Sequence, residues 1–229
     1  MKRSVQPELL DTLPPGDQRA VRSRRDLRRV NGWMRHHAIM AETLQQALSG
    51  HALKSITELG AGDGKFLLRV AQTVPPKFLA AKATLLDRQK VVSAGTLAAF
   101  AAHGWLAQAV TADVYDWLQT AGDGEVVIAN LFLHHFEDVR LAELLRLVSL
   151  RAKLFIALEP HRAPWPLFCS RLLWAIGCNA VTRHDAVVSV RAGFSGNELS
   201  ALWPDKNHWR LTEQRAGAFS QLFIAQKKS

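Results

Sequence analysis

A chain of 229 residues with 48% apolar and 21% charged residues has the composition of an ordinary globular protein, long enough for one α/β domain with a full core. No run of about 18 uncharged apolar residues occurs, which argues against a membrane-spanning helix, and the basic N-terminus has no apolar stretch behind it to read as a secretory signal. Cys169 and Cys178 form neither a metal-type pair nor a disulfide framework, so reduced thiols in a cytoplasmic protein, with no bound metal, are expected.

Residues 1–16, with Pro7, Pro14, Pro15 and Gly16, read as an irregular lead-in. Two helices are predicted next, over 17–34 and 39–48, with Gly50 as the stop. The net charge of +9 is concentrated here: between Arg19 and Arg35 seven arginines face one acid, Asp26, a local +6. Such a cluster fits a nucleic-acid, anionic-membrane, acidic-partner or acidic-substrate surface. It also fits the solvated face of a helix whose apolar stripe is Leu27, Val30, Trp33 and Met34. The second reading is preferred and no nucleic acid is expected, because Trp33 is the only aromatic interleaved and its spacing puts it on the apolar stripe.

From Lys54 the texture changes to short apolar runs separated by amphipathic stretches. Strands are predicted at 55–59, 83–86, 106–110, 125–129 and 153–158, with helices at 63–73, 89–102 and 138–149. Runs without polar alternation imply a parallel sheet covered on both faces, and right-handed crossovers make it doubly wound. An apolar insert, 163–178, follows the fifth strand, then a mixed polar loop at 179–190, a helix at 196–202 and terminal strands at 208–214 and 219–226. The expected organisation is a helical lead-in over 1–50 and one α/β domain over 51–229, with a substrate-side insert at about 161–195.

The strongest motif is the strand-to-helix turn Glu58-Leu-Gly-Ala-Gly-Asp-Gly64. Its glycines let a ligand approach backbone with no Cβ in the way. Dinucleotide-binding folds place glycines at the same point, but there a pyrophosphate favours bare helix amides. Here Glu58 stands two positions before Gly60, and a carboxylate suits a cationic ligand. Asp87 ends the second strand beside Arg88, where it can accept two ribose hydroxyls. Asp113 follows the third strand, with the Val114 amide placed for a base ring. Asn130 ends the fourth strand, next to the first across the switch point. Either aspartate alone could be a helix cap.

In this order, ELGAGDG, LLD, ADV and ANLFLHHF resemble the class I S-adenosylmethionine methyltransferases. RRDLRRVNGWM, RHDAVVSVRAGF and AGAFSQLFIA look like a bacterial small-molecule subgroup of them. The resemblance covers about residues 52–160 and the terminal strands. It implies a Rossmann-like methyltransferase fold, S-adenosylmethionine as cofactor, and contacts to it from Glu58, Gly60, Ala61, Gly62, Asp87, Arg88, Asp113, Val114 and Asn130.

His134 and His135 lie just past the fourth strand, where an acceptor should meet the methyl group. A near-neutral histidine there fits proton removal from a hydroxyl, although it could equally pack or cap. The Asn/Asp-Pro-Pro-aromatic motif of nucleobase amine methylation is absent. Arg183-His184-Asp185 is the second candidate cluster, with Glu159 and His161 given less weight. The apolar insert, with Trp165, Phe168, Leu172, Leu173 and Trp174, points to a small hydrophobic or phenolic acceptor methylated at oxygen.

Overall fold

The computed structural model describes residues 1–14, 16–49, 51–75, 78, 80–122 and 124–228; Pro15 and the expected stop at Gly50 lie outside them. A single turn, α1 (Leu9–Thr12), precedes α2 (Gln18–Met34). The latter starts where the Asp17 carboxylate accepts a hydrogen bond from the Arg19 N–H at 2.7 Å, which satisfies one orphan donor of the first turn. Arg35 adopts a left-handed conformation and the chain turns directly into α3 (His36–Ala47). That start is earlier than the Ile39 implied by the apolar pattern, so His36 and His37 are helical.

The alternating segment runs β1 (Ser55–Leu59), α4 (Lys65–Thr73), β2 (Lys82–Asp87), α5 (Ala94–Ala102), β3 (Leu106–Thr111), α6 (Val114–Thr120), β4 (Val126–Asn130), α7 (Asp138–Arg151) and β5 (Leu154–Pro160). It continues through α8 (Pro164–Arg171), α9 (Ala180–Ala192), α10 (Glu198–Leu202), β6 (Trp209–Ala216) and β7 (Ser220–Lys227). The strands form one seven-stranded sheet in the order β3-β2-β1-β4-β5-β7-β6. β1 to β5 are parallel, and β7 is antiparallel to both β5 and β6. This is a doubly wound, mainly parallel sheet with helices on both faces. β5 shows why both faces need cover. Phe155 and Ala157 pack with Leu144, Val148 and Trp203, while Ile156 and Leu158 pack with Met40, Leu44 and Leu67. Each large apolar side chain so buried contributes about 1.5–3 kcal/mol.

Three expectations need correction. The helix predicted from residue 89 begins at Ala94, because Ser93 caps it by accepting from the Thr96 N–H at 3.1 Å; residues 88–92 are a loop. The short α6 was not expected. Of residues 179–190, read as a polar loop, all but the first belong to α9. Asn179 caps that helix by accepting from the Thr182 N–H at 2.8 Å. Its buried face carries Val181, Asp185, Val188 and Ala192 at helical spacing. A carboxylate within the buried stripe masked the periodicity.

Candidate active site

The neighbouring strands β1 and β4 send their connections to opposite faces, which leaves a crevice at their carboxyl ends. A cavity of about 1130 Å³ opens there, closed over by α1, α2 and α8. That volume exceeds what one drug-sized ligand fills, so a cofactor and an acceptor both fit.

Glu58 ends up buried, with Oε2 lacking any hydrogen-bond partner among the described residues. Burial pushes its carboxyl well above the ordinary value, and the nearby Asp63 and Asp87 charges act in the same direction. A buried carboxylate oxygen without a partner is costly, and the residue that carries it borders the cavity. The turn beside it depends on glycine. Gly60 has φ +68°, and a Cβ there would fall 2.2 Å from the Phe132 ring. Gly62 has φ +54° but faces open space, and its N–H donates to Asp87 Oδ2 at 2.8 Å.

Asp87 Oδ1 accepts from the Gln89 N–H, also at 2.8 Å, so this carboxylate sets the shape of two loops while lining the cavity. Arg88 lines it too and reaches Asp11 at 3.7 Å. Asp113 caps α6 by accepting from the Tyr115 N–H at 2.8 Å, and it lines the cavity together with Val114 and Ala61. Asn130 Oδ1 lies 2.7 Å from His36 Nδ1, and His36 Nε2 lies 2.5 Å from Ser220 Oγ. The end of β4 is thereby fastened to α3 and β7. The structure thus brings Glu58, Gly60, Ala61, Gly62, Asp87, Arg88, Asp113, Val114 and Asn130 around one cavity.

The histidines separate into different environments. His134 is buried, with Nδ1 2.8 Å from Glu159 Oε2 and Nε2 3.3 Å from Glu8 Oε1. Burial alone would lower its pKa, but the two carboxylates hold it up at about 9. Glu159 also accepts from the backbone N–H groups of Phe132 and Leu133, at 3.0 and 2.9 Å. Burial opposes its charge, and the His134 contact nevertheless holds it below the ordinary carboxylate value. His134 is therefore an imidazolium clamp. His135, beside it, lines the cavity with Nδ1 3.5 Å from Asp11 Oδ2. Burial and the adjacent His134 charge push its pKa down, which leaves it neutral.

Glu8, His134 and His135 have potential ligand atoms within 4.8 Å of one another. Both nitrogens of His134 already face carboxylates, which favours a proton over a cation there.

His184 is placed elsewhere. It is exposed, does not line the cavity, and contacts Asp185 Oδ1 at 3.0 Å. The Asp185 carboxylate is occupied in holding α1, accepting from the Leu9 and Leu10 N–H groups at 2.8 and 3.0 Å. His161 is buried with no partner for Nδ1 among the described residues and lies outside the cavity.

The arginine cluster also divides. Arg24 and Arg28 line the cavity, and Arg28 pairs with Asp63 at 3.3 Å. Arg19, Arg22, Arg25, Arg29 and Arg35 are exposed, so the solvated-face reading applies to these five and not to Arg24 and Arg28. Glu8, Asp11 and His36 are cavity or clamp residues that the sequence reading missed. Nothing local marks them, since their partners lie over seventy residues away.

No family model and no curated protein matches this sequence. Among solved structures, a plantazolicin methyltransferase, BamL, in complex with a triazolic desmethylPZN analog and SAH shares the fold at TM-score 0.67 and 12% identity, over 96% of this chain and 93% of that one. An O-methyltransferase family protein from Burkholderia thailandensis matches at TM-score 0.60 and 17% identity, over 93% of this chain. The match spans 61% of that longer chain. Magnesium protoporphyrin IX methyltransferase from Synechocystis PCC 6803 with bound SAH matches at TM-score 0.56 and 13% identity, over 86% and 84% of the two chains. The fold is that of these methyltransferases.

Proposed function

We propose that this chain is an S-adenosylmethionine-dependent methyltransferase acting at oxygen on a small apolar or phenolic acceptor. The observation that carries the reading is the Glu58 carboxylate, buried with one oxygen unsatisfied beside a glycine turn that opens into the cavity. An ammonium or sulfonium group would favour its ionised form and satisfy it, whereas a pyrophosphate, adding a like charge, would not. The likeness in fold to methyltransferases solved with SAH supports the same reading.

The cofactor, when bound, supplies an electrophilic methyl group. Glu58 and the Gly60–Gly62 turn would hold its amino-acid end, Asp87 its ribose and Asp113 with Val114 its base. On the acceptor side, Leu27, Val30, Met34, Pro166 and Leu173 give the cavity an apolar wall that excludes water and orients the acceptor. His135, neutral and facing the cavity, accepts the hydroxyl proton. The Asp11 carboxylate, 3.5 Å from Nδ1, stabilises the imidazolium so formed. His134 cannot share that role because it is already protonated. It positions the turn that carries His135.

Calorimetric titration with S-adenosylhomocysteine, followed by turnover of a panel of phenols, tests the proposal. Micromolar binding and methyl ether formation are expected. Binding without turnover on any acceptor would leave a cofactor-binding protein with no catalysis, and preferential binding of NADH would refute the cofactor assignment.

A further inference from the structure

Helix α8 is apolar on both sides. Pro166, Cys169 and Leu173, just beyond its end, line the cavity, whereas Trp165, Phe168 and Leu172 point outward. Trp165 is 57% exposed, Phe168 53% and the nearby Trp174 61%. The Trp165 and Phe168 rings stack at 5.9 Å between centroids, so they form a patch. Single exposed apolar residues are unremarkable, but a contiguous aromatic group in water marks a contact surface.

The charge beside this patch has one sign. Arg22, Arg25 and Arg29 recur at helical spacing on the open face of α2, and Trp33, expected on the apolar stripe with Leu27, Val30 and Met34, instead continues theirs at 63% exposure while its other edge borders the cavity. Arg29 donates to the Ile176 carbonyl at 3.0 Å, and the Asn179 side chain donates to the Arg19 carbonyl at 2.9 Å. These bonds join α2 to the segment that follows α8, making one continuous face. Arg171 and Arg183 add exposed charge to it. Across residues 18–35 and 161–184 the only acid is Asp26, which is buried and pairs with Arg29 at 3.6 Å.

We propose that this face docks on the surface of an anionic lipid bilayer. Exposed tryptophan and phenylalanine side chains next to an arginine stripe whose one carboxylate, Asp26, is buried match the two layers of such a surface. The aromatic rings enter the headgroup–acyl boundary and the guanidinium groups pair with lipid phosphates. Among the described residues no helix is long and apolar enough to cross a membrane, so attachment is peripheral and reversible. The inner side of α8 then brings the cavity wall to the lipid boundary, which gives an apolar acceptor a dry route to the site. A single-stranded RNA is a poorer fit, because Trp165 and Phe168 stack on one another and Trp33 is the only aromatic that continues the arginine row.

Flotation of the full chain with phosphatidylcholine vesicles, with and without phosphatidylglycerol, tests this docking. Binding is expected only with the anionic lipid, weakening as salt rises, with tryptophan emission quenched by brominated acyl chains. Replacing Arg22 and Arg25 together with glutamine should weaken partitioning about twenty-five-fold, each charge contributing about fivefold, with Arg29 kept because it holds α2 to the segment after α8. Replacing both with lysine should largely preserve it. Trp165→Ser, Phe168→Ser and Trp174→Ser combined should abolish quenching while circular dichroism and melting temperature stay close to those of the parent. Equal binding to both vesicle types, no vesicle binding at all, or self-association that the serine variant abolishes in place of vesicle binding would overturn the proposal. Tight RNA binding lost in the glutamine variant, without lipid binding, would overturn it equally.

Discussion

His134 Nδ1 lies 2.8 Å from Glu159 Oε2, a side-chain bond between the turn after β4 and the end of β5. Glu159 also accepts from the Phe132 and Leu133 N–H groups, so its charge fixes both the backbone and the ring. Glu159→Gln leaves a buried imidazolium with one carboxylate partner fewer. Breaking a buried pair from one side costs about 3–5 kcal/mol, and for a chain of this size the melting temperature should fall on the order of 10 °C. A calorimetric scan that finds the variant within about 2 °C of the parent would remove the clamp.

The same group makes stability depend on pH. His134 is raised to about 9 in the folded chain, so its contribution is fully present below about pH 6.5, the unfolded value. It is lost as pH rises through about 9. Burial opposes the Glu8 charge, but the His134 contact lowers its pKa to about 2. That contribution is present above about pH 4.5 and disappears as pH falls toward about 2. Melting temperature against pH should therefore decline on the alkaline side, and His134→Asn should flatten that limb. An unchanged alkaline limb in the variant would assign the loss to other groups.

His135 and His134 should respond differently in turnover. His135→Ala should lower kcat on a phenolic acceptor by about a hundredfold or more, with S-adenosylhomocysteine affinity within a factor of two. The residual activity should lose the acidic limb of its pH profile, which reports the depressed His135 pKa. If kcat is unaffected on an alcohol as well as on a phenol, His135 is no base and orientation alone carries the step.

How far the sequence could be read follows from where each signal lies along the chain. Glu58, Asp87, Asp113 and Asn130 stand at strand ends, and a parallel strand followed by a glycine or an acid is a local pattern; their gathering around one cavity could be anticipated. Helix α9 was missed because Thr182 and Asp185 occupy its buried side, and their partners, Ser23, Asp26 and the α1 backbone, come from the distant N-terminal segment. The division of labour between His134 and His135 was also hidden. It depends on Glu8 and Glu159 closing on one ring from opposite sides, a contact no spacing in the chain announces.

Asp87 acts on the cavity in two ways. It holds the Gly62 N–H at 2.8 Å, and it leaves acceptor capacity toward the cavity. Asp87→Ala should weaken S-adenosylhomocysteine binding by about 1.5–3 kcal/mol, the range for hydrogen bonds to a charged group. Asp87→Asn, which keeps one acceptor oxygen for Gly62, should recover part of that loss. Calorimetric affinities within a factor of two for all three proteins would reduce Asp87 to a loop-shaping residue.

The two glycines of the turn should fail for different reasons. A Cβ on Gly60 would lie 2.2 Å from the Phe132 ring, while a Cβ on Gly62 meets nothing within 4 Å. Both positions have positive φ, so either alanine carries about 1–2 kcal/mol of backbone strain. Gly60→Ala adds an overpacking cost of about 1–3 kcal/mol and should melt well below Gly62→Ala. Combining Gly60→Ala with Phe132→Ala relieves the clash, so the two stability losses should fall short of additive. Gly62→Val differs: its Cβ meets no protein atom within 4 Å, so its stability cost is the strained φ, larger for a β-branched residue than for alanine. It should melt below Gly62→Ala yet still fold, and show no S-adenosylhomocysteine-dependent rise in melting temperature, the rise that mass action gives the parent. A Gly62→Val protein that binds like the parent would mean that the ligand lies elsewhere in the cavity and that the turn serves the fold alone.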